Sequence, residues 1–78
     1  MFDVRKFLLD VFEDERVYED NIDLFESGLL DSFAFIELFS KLEDYGIELH
    51  PTRINIEDLR TPKLIEKLIE NYINENNK

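Results

Sequence analysis

Apolar residues recur at the spacing of an α-helix in three separate segments of this chain, and no other feature restricts the fold as much. In the first segment they lie three or four positions apart and predict a helix from about residue 3 to 14. The apolar positions of this segment are Val4, Phe7, Leu8, Val11 and Phe12. No run alternates with period two for long enough to predict a strand. The pattern therefore favours an all-α fold.

The second helical segment begins at Asp31 or Ser32, where a small polar residue can cap a helix, and runs to about Tyr45. Gly46 follows at the position where a residue in the left-handed conformation commonly ends a helix. One face of this helix carries the expected core positions, which are Phe35, Leu38, Phe39, Leu42 and Tyr45.

The third helical segment starts with Thr61 as a cap and Pro62 in the first turn, where the missing N–H does no harm. Its apolar stripe consists of Leu64, Ile65, Leu68, Ile69, Tyr72 and Ile73. Residues 74–78 are expected to fray. Ahead of this helix, residues 55–59 predict a brief helical turn capped by Asn55. The sequence thus predicts a small bundle of three main helices and one short helix.

A polar stretch, Glu13 to Arg16, is followed by a segment through Asp31 that has mixed polarity and no sustained period, which predicts a long first loop. Loops of this length inside a compact domain are usually functional or fixed by their own side chains. The apolar residues available to fix it are Ile22, Leu24, Phe25, Leu29 and Leu30. A turn signal, Ser27-Gly28, lies just before the second helix.

Length and cysteine content limit the chain further. The 78 residues leave room for one domain, residues 1–78, and a hydrophobic content of 44% is enough for a core. The absence of Cys excludes disulfides and Cys-containing metal sites. The first six residues interleave charged and apolar side chains, so neither a signal peptide nor a membrane span is predicted, and a cytoplasmic location is expected.

The charge of the chain indicates what kind of partner it meets. Nineteen Asp and Glu against nine Lys and Arg give a net charge of −10. This charge repels the phosphate backbone of DNA and RNA, so nucleic-acid binding is not expected. It should instead steer the chain, as a monomer by default, toward basic patches on protein partners.

Two kinds of chemistry find no support in the residues present. The sole histidine, His50, precedes Pro51 in a predicted loop, and no G-x-S-x-G motif surrounds any serine, so no catalytic residue is assigned. The best calcium-loop window runs from Asp23 to Ala34. Phe25 stands at one of its ligand positions, and Ala34 stands where a bidentate Glu is required. No metal ligand is therefore assigned.

The remaining candidate is the motif Gly28-Leu29-Leu30-Asp31-Ser32-Phe33 at the start of the second helix. Alone, an Asp-Ser pair before an apolar helix is a common helix cap. Here the motif lies between a long first loop and the second helix of a small acidic all-α domain. In that context it resembles the phosphopantetheine attachment motif of carrier proteins, where a Gly and two further residues precede Asp-Ser and a large apolar residue. The resemblance covers essentially the whole chain and implies an acyl-carrier-like bundle.

The resemblance also implies a chemistry for Ser32. A phosphopantetheinyl transferase would attach 4′-phosphopantetheine from coenzyme A to this serine, and Asp31 would help define the helix start that the transferase recognises. A loading ligase or acyltransferase with a basic docking patch would then place an acyl or aminoacyl group on the thiol of the arm as a thioester. A helix N-terminus suits the phosphodiester because its free N–H groups and partial positive charge favour an anion. The carrier itself would not be an enzyme.

Phe33 and Ile36 lie together on a face beside the core stripe, one turn from Ser32. They either form an apolar docking patch or pack into the core. Glu37 and Ser40 lie on the same face, so these four residues are the candidate partner-binding residues.

The stretch from Leu24 to Phe33, with Phe after the serine, is similar to D-alanyl carrier proteins, as is Thr61-Pro62 before the last helix. Those proteins accept D-alanine from an ATP-dependent ligase and pass it toward lipoteichoic acid. The first loop is shorter than in that group, and Leu59-Arg60 stands where a Trp is typical. The alternatives are an acyl carrier for fatty-acid, polyketide or nonribosomal peptide synthesis, and an acidic protein-interaction module without covalent cargo.

Overall fold

The structure, a computed structural model, describes residues 2–76. Its α-helices are α1 (Val4–Phe12), α2 (Ser32–Asp44) and α3 (Pro62–Asn76). Short 3₁₀ turns occupy Glu15–Tyr18, Pro51–Arg53 and Ile56–Leu59. Within the described residues there is no β-strand. The predicted all-α fold with three main helices is confirmed.

Caps at both ends make α1 shorter than the predicted helix over residues 3–14. The Asp3 side chain accepts a hydrogen bond from the Lys6 N–H at 3.1 Å, so Asp3 precedes the helix as its cap. At the other end Glu13 adopts a left-handed conformation with φ of 54°, and its N–H donates to the Leu9 carbonyl at 2.8 Å. The prediction was therefore too long at both ends.

The end of α2 depends on a glycine, as predicted. Gly46 has φ of 78°, a conformation that strains any residue with a Cβ. Its N–H donates to the Glu43 carbonyl, and the Ile47 N–H donates to the Leu42 carbonyl, both at 2.9 Å. These bonds satisfy carbonyls that the end of a helix leaves free.

The start of α3 also follows the prediction. The Thr61 Oγ1 accepts a hydrogen bond from the Leu64 N–H at 3.2 Å, and Pro62 is the first helical residue. The helix continues to Asn76, three residues into the tail that the sequence predicts to fray. Residues 77 and 78 of that tail lie outside the described residues, and the fraying itself stays a prediction.

The core lies where α1 packs against α2 and α3. Its buried residues are Val4, Phe7, Leu8, Val11, Val17, Leu24, Leu30, Ala34, Leu38, Phe39, Leu42, Ile47, Leu59, Ile65 and Ile69. Two predicted core positions are wrong, since Tyr45 is 57% exposed and Leu64 is 37% exposed. Tyr45 follows the last residue of α2, and its ring contacts those of Phe2 and Phe7 at centroid distances of 5.1 and 5.6 Å. It therefore lies at the rim of the core.

The long loop before α2 is fixed by its own side chains. Leu24 and Leu30 are buried, and Ile22, Phe25 and Leu29 pack against the core in part, as expected. The loop also contains the 3₁₀ turn Glu15–Tyr18, which the sequence did not reveal because a single buried residue has no period.

Two backbone hydrogen bonds join this loop to the segment before α3 and to the first turn of α3. The Leu24 N–H donates to the Arg60 carbonyl at 2.7 Å, and the Lys63 N–H donates to the Asp20 carbonyl at 3.3 Å. The predicted brief helical turn is present as Ile56–Leu59, with the Asn55 side chain accepting from the Glu57 N–H. The loop that leads to Ser32 is therefore held in place by the start of α3 and by the segment before it.

Candidate functional site

The start of α2 is defined by Asp31 and by the turn before it. Asp31 has an extended backbone, and its Oδ1 accepts a hydrogen bond from the Ala34 N–H at 2.8 Å. The preceding turn requires Gly28, whose φ is 80°, and the Ser27 Oγ accepts from the Leu29 N–H at 3.3 Å. The cap and the turn together determine where the helix begins.

Ser32 is the first residue of α2, and it is exposed. The Asp31 side chain satisfies the Ala34 N–H, and the Asp31 carbonyl satisfies the Phe35 N–H at 2.9 Å. Among the hydrogen bonds of residues 2–76, the N–H groups of Ser32 and Phe33 have no partner. A hydroxyl and two free donors thus lie at the positive end of a 13-residue helix.

The face beside the core stripe of α2 is exposed and apolar. Phe33 is 74% exposed and Ile36 is 67% exposed, so neither packs into the core. Of the two interpretations that the sequence leaves open for these residues, core packing is wrong. Ser40 is exposed one turn further on, whereas Glu37 is half-buried and pairs with Lys41 at 3.4 Å.

A shallow cleft of about 390 Å³ opens beside Ser32. It is lined by Phe25, Leu30, Asp31, Ser32, Phe35, Ile36 and Ile56. Three segments contribute to it: the loop before α2, α2 itself and the 3₁₀ turn before α3. Ser32 therefore has an apolar surface directly next to its hydroxyl.

Comparison with known proteins identifies the family to which this chain, with its serine at the start of α2, belongs. Residues 4–69, which span α1, α2 and most of α3, match the family model described as phosphopantetheine attachment site. The chain belongs to this family of carrier proteins.

Two curated relatives agree with the family model. A D-alanyl carrier protein of Abiotrophia defectiva is 33% identical over 72 residues, which cover 90% of this chain and 91% of that one. A D-alanyl carrier protein of Bacillus velezensis is 36% identical over 66 residues, which cover 81% of this chain and 85% of that one. The similarity therefore extends over most of both chains.

Members of this family bear covalent 4′-phosphopantetheine, whose terminal thiol holds the cargo as a thioester. The start of α2 in this carrier fits such a group. The Ser32 side chain can be extended into solvent without displacing a core residue, and the free N–H groups beside it suit a phosphate ester. Carrier proteins in general are not catalysts; they meet phosphopantetheinyl transferases and ligases as substrates.

The site of this carrier also includes residues that the sequence analysis missed. Arg60 joins the loop to the turn before α3: its Nη1 donates to Asp23 Oδ2 at 2.8 Å, and its Nε donates to Glu57 Oε2 at 2.6 Å. The Arg60 guanidinium carbon lies 5.0 Å from the centre of the Phe25 ring, which lines the cleft. Ile56 lines the cleft as well and is 57% exposed. The one signal for this part of the site in the sequence was Ile56, an apolar residue between the polar residues Asn55 and Glu57.

The two carboxylates around Arg60 are held in their charged form. Hydrogen bonds from the Glu26 backbone N–H and from Arg60 lower the pKa of Asp23, and the hydrogen bonds from Arg60 lower the pKa of Glu57. The oxygens of Asp23 are thus engaged by N–H groups and by a guanidinium.

The His50 side chain is exposed ahead of the 3₁₀ turn Pro51–Arg53, and no hydrogen bond of the described residues joins it to Ser32. In residues 2–76 no group of three or more His, Asp or Glu could hold a metal ion. No helix of the part that the structure describes is long and apolar enough to cross a membrane.

Proposed function

We propose that Ser32 is the attachment residue of this carrier and that the arm on Ser32 bears D-alanine. The observation that carries the first part is an exposed serine hydroxyl at the first residue of α2, inside the Asp31-Ser32-Phe33 motif and inside the matched region. The second part rests on the relatives, both of which are D-alanyl carrier proteins. The proposed carrier acts as a substrate and has no catalytic residues.

Attachment requires the Ser32 hydroxyl to attack the pyrophosphate of coenzyme A. A phosphodiester forms at Oγ, and 3′,5′-adenosine bisphosphate leaves. The transferase catalyses this step, while the carrier presents the nucleophile at a helix end whose partial positive charge favours the new phosphate group. Asp31 contributes by fixing the first turn of α2 through its bond to Ala34.

Partner enzymes dock on the exposed face of α2 in this proposal. Phe33 and Ile36 supply apolar contact area close to Ser32, and Ser40 extends the face by one turn. Glu37 contributes negative charge, part of which Lys41 neutralises. The overall charge of −10 attracts basic patches on the transferase and on a loading ligase, so docking should weaken as salt rises.

The attachment test uses intact mass after incubation with coenzyme A and a permissive phosphopantetheinyl transferase. Wild type should gain one phosphopantetheine, and Ser32→Ala should gain none. Thr52→Ala is the control, because Thr52 also carries an exposed hydroxyl but lies outside α2, and it should be modified like wild type. Wild type that stays unmodified by several transferases would overturn the attachment site, and with it the carrier chemistry proposed for this chain.

The cargo test compares substrates on the modified protein. With ATP and a D-alanine-activating ligase, the holo-carrier should gain a hydroxylamine-labile D-alanyl group, and L-alanine should be loaded far less. Capture of the thioester-bound cargo from cells distinguishes the alternatives. A fatty acyl, polyketide or peptidyl group on the arm, in place of D-alanine, would show that the chain serves one of the other carrier functions. A protein with no arm in cells would instead match an acidic interaction module.

Two further expectations belong to the proposal. Residues 1–78 form a single carrier domain that works as a monomer. Its location is the cytoplasm, where coenzyme A and ATP are available to the enzymes that modify and load it.

A further inference from the structure

We infer that Arg60 is a positioning residue for attachment, and this inference rests on the proposed function. Arg60 holds together two of the segments that line the cleft beside Ser32. It contacts Asp23 in the loop and Glu57 in the 3₁₀ turn before α3. Through them it sets the surface that a basic phosphopantetheinyl transferase meets when it brings coenzyme A to Ser32.

The loop side of this contact leads directly to Phe25. Asp23 Oδ2 pairs with Arg60, while Oδ1 accepts hydrogen bonds from the N–H groups of Phe25 and Glu26, both at 2.9 Å. The guanidinium also lies 5.0 Å from the centre of the Phe25 ring. Both the backbone and the ring of Phe25 are therefore fixed relative to Arg60, and Phe25 lines the cleft.

The opposite side of the contact leads to Ile56. Arg60 binds Glu57 with two hydrogen bonds, Nε to Oε2 at 2.6 Å and Nη2 to Oε1 at 3.0 Å. This bidentate geometry restricts the guanidinium more than a single bond does. Ile56 precedes Glu57 in the same turn and lines the cleft with Phe25. The Arg60 side chain therefore restrains the distance between these two lining residues, in addition to the backbone bond from the Leu24 N–H to the Arg60 carbonyl.

A second arginine of the chain provides a matched control. Arg16 forms an ion pair with Asp14 at 2.9 Å, and neither residue lines the cleft. Replacing Arg16 or Arg60 by Met changes the net charge from −10 to −11 in both cases. The added negative charge alone should favour a basic partner slightly and equally in the two variants. If docking weakens in Arg60→Met alone, the added negative charge cannot be the cause, because that charge should strengthen docking.

The experiment measures kcat and KM of a permissive transferase for the apo forms of wild type, Arg60→Met and Arg16→Met. Arg60→Met should raise KM roughly tenfold and leave kcat within about twofold, since it disturbs a docking surface and not the reacting hydroxyl. Arg16→Met should match wild type in both constants. In apo protein, the NMR resonances of the Phe25 ring and the Ile56 methyl groups should shift in Arg60→Met and stay unchanged in Arg16→Met.

Glu57→Gln is a second variant in case Arg60→Met fails to fold. It keeps the contact between Arg60 and Asp23 but weakens the bidentate contact, and KM should rise severalfold above that of Glu15→Gln, a control that loses the same charge at an exposed position outside the cleft. If wild type is modified and KM is unchanged in the folded variants, the role of Arg60 is wrong while the proposed function stands. If wild type is not modified at all, the proposed function fails, and this inference fails with it.

A double-mutant cycle tests whether Arg60 acts through Phe25. Phe25→Leu should raise KM by itself, and the KM of the double variant Phe25→Leu/Arg60→Met should exceed that of wild type by much less than the product of the two single effects. Effects that multiply fully would show that Arg60 contacts the transferase independently of Phe25, which would overturn its assignment as a positioning residue.

Discussion

Two arginines form the centres of ion-pair clusters in this protein, but they lie in different surroundings. In the Arg5 cluster the arginine side chain is only 13% exposed and contacts Asp20 at 2.7 Å and Glu66 at 3.3 Å. Its Nη1 also donates to the carbonyls of Val17 and Tyr18, both at 3.3 Å. The cluster therefore connects α1, the first 3₁₀ turn and α3.

In the Arg60 cluster the arginine side chain is 38% exposed, and its partners are Asp23 and Glu57. It borders the cleft beside Ser32 through Phe25, whereas none of the residues of the Arg5 cluster lines that cleft. Similar ion pairs should thus have different consequences. The Arg5 cluster stabilises the packing of helices, and the Arg60 cluster shapes the surface that partners approach.

The largest effect on stability is expected for Arg5→Ala. The substitution leaves the carbonyls of Val17 and Tyr18 without a donor and removes buried side-chain contacts, so unfolding free energy should fall by about 1–3 kcal/mol. Urea unfolding measures this, with Lys6→Ala, an exposed position on the same helix, as the control. At a temperature where Arg5→Ala is folded, transferase KM should equal that of wild type. A raised KM would break the distinction between the two clusters.

The cap of α2 is expected to have the next largest effect. Asp31→Ala removes the acceptor for the Ala34 N–H and should lower the unfolding free energy by about 1 kcal/mol. Asp31→Asn keeps an acceptor oxygen, and its stability should stay near wild type. Comparing the transferase KM of these variants separates the cap from the charge. A slow Asp31→Asn variant of normal stability would show that the transferase recognises the carboxylate itself.

The helices of this protein could be predicted from sequence because their signals are local. Spacing of apolar residues, the Thr61-Pro62 start and Gly46 at the end of α2 each act within a few residues. The position of Ser32 followed from the same kind of signal, a turn followed by a cap. The wrong prediction for Tyr45 arises from tertiary structure. The exposure of Tyr45 depends on how Phe2 and Phe7, distant in sequence, pack over the end of α2.

The surroundings of Ser32 could not be predicted to the same extent. Asp23 and Arg60 are separated by 37 positions, and their contact depends on how the loop folds back on the turn before α3. In the sequence, Arg60 was visible only as a departure from the Trp typical of D-alanyl carrier proteins. Ile56 belongs to a turn too short to show a period. Local pattern thus predicts where the serine lies but not the cleft beside it.

A smaller effect is expected in the pH dependence of stability. The Glu26 N–H and Arg60 lower the pKa of Asp23, and Arg60 lowers the pKa of Glu57, so the unfolded state binds more protons than the folded state as pH falls. The stabilisation by these carboxylates is complete above their ordinary pKa of about 4 and is lost as pH falls through the folded values. The urea midpoint of Arg60→Met should therefore fall less steeply below about pH 4 than that of wild type.

The control for this pH dependence is Lys67→Met, which removes one positive charge from an exposed position of α3. Its urea midpoint should fall with pH as steeply as that of wild type. Equal slopes for wild type and Arg60→Met would mean that the Arg60 cluster contributes nothing to stability at neutral pH. The cluster would then matter for the shape of the cleft alone.

The smallest effect on stability is expected for two exposed aromatic residues, one beside Ser32 and one next to the Arg5 cluster. Phe33 is 74% exposed beside Ser32, and Tyr18 is 53% exposed next to the Arg5 cluster. Replacing either by Ala should change the unfolding free energy by less than about 0.5 kcal/mol, because neither side chain belongs to the core.

The two aromatic residues should nevertheless differ in docking. Phe33→Ala removes apolar contact area next to the proposed attachment residue, Ser32, so transferase KM should rise roughly fivefold, which corresponds to about 1 kcal/mol of docking energy. Tyr18→Ala should leave KM unchanged. An equal rise in both variants would indicate that partners cover a wider surface that reaches the Arg5 cluster. A rise confined to Phe33→Ala would limit docking to the surface around Ser32, where Arg60 fixes the adjacent cleft.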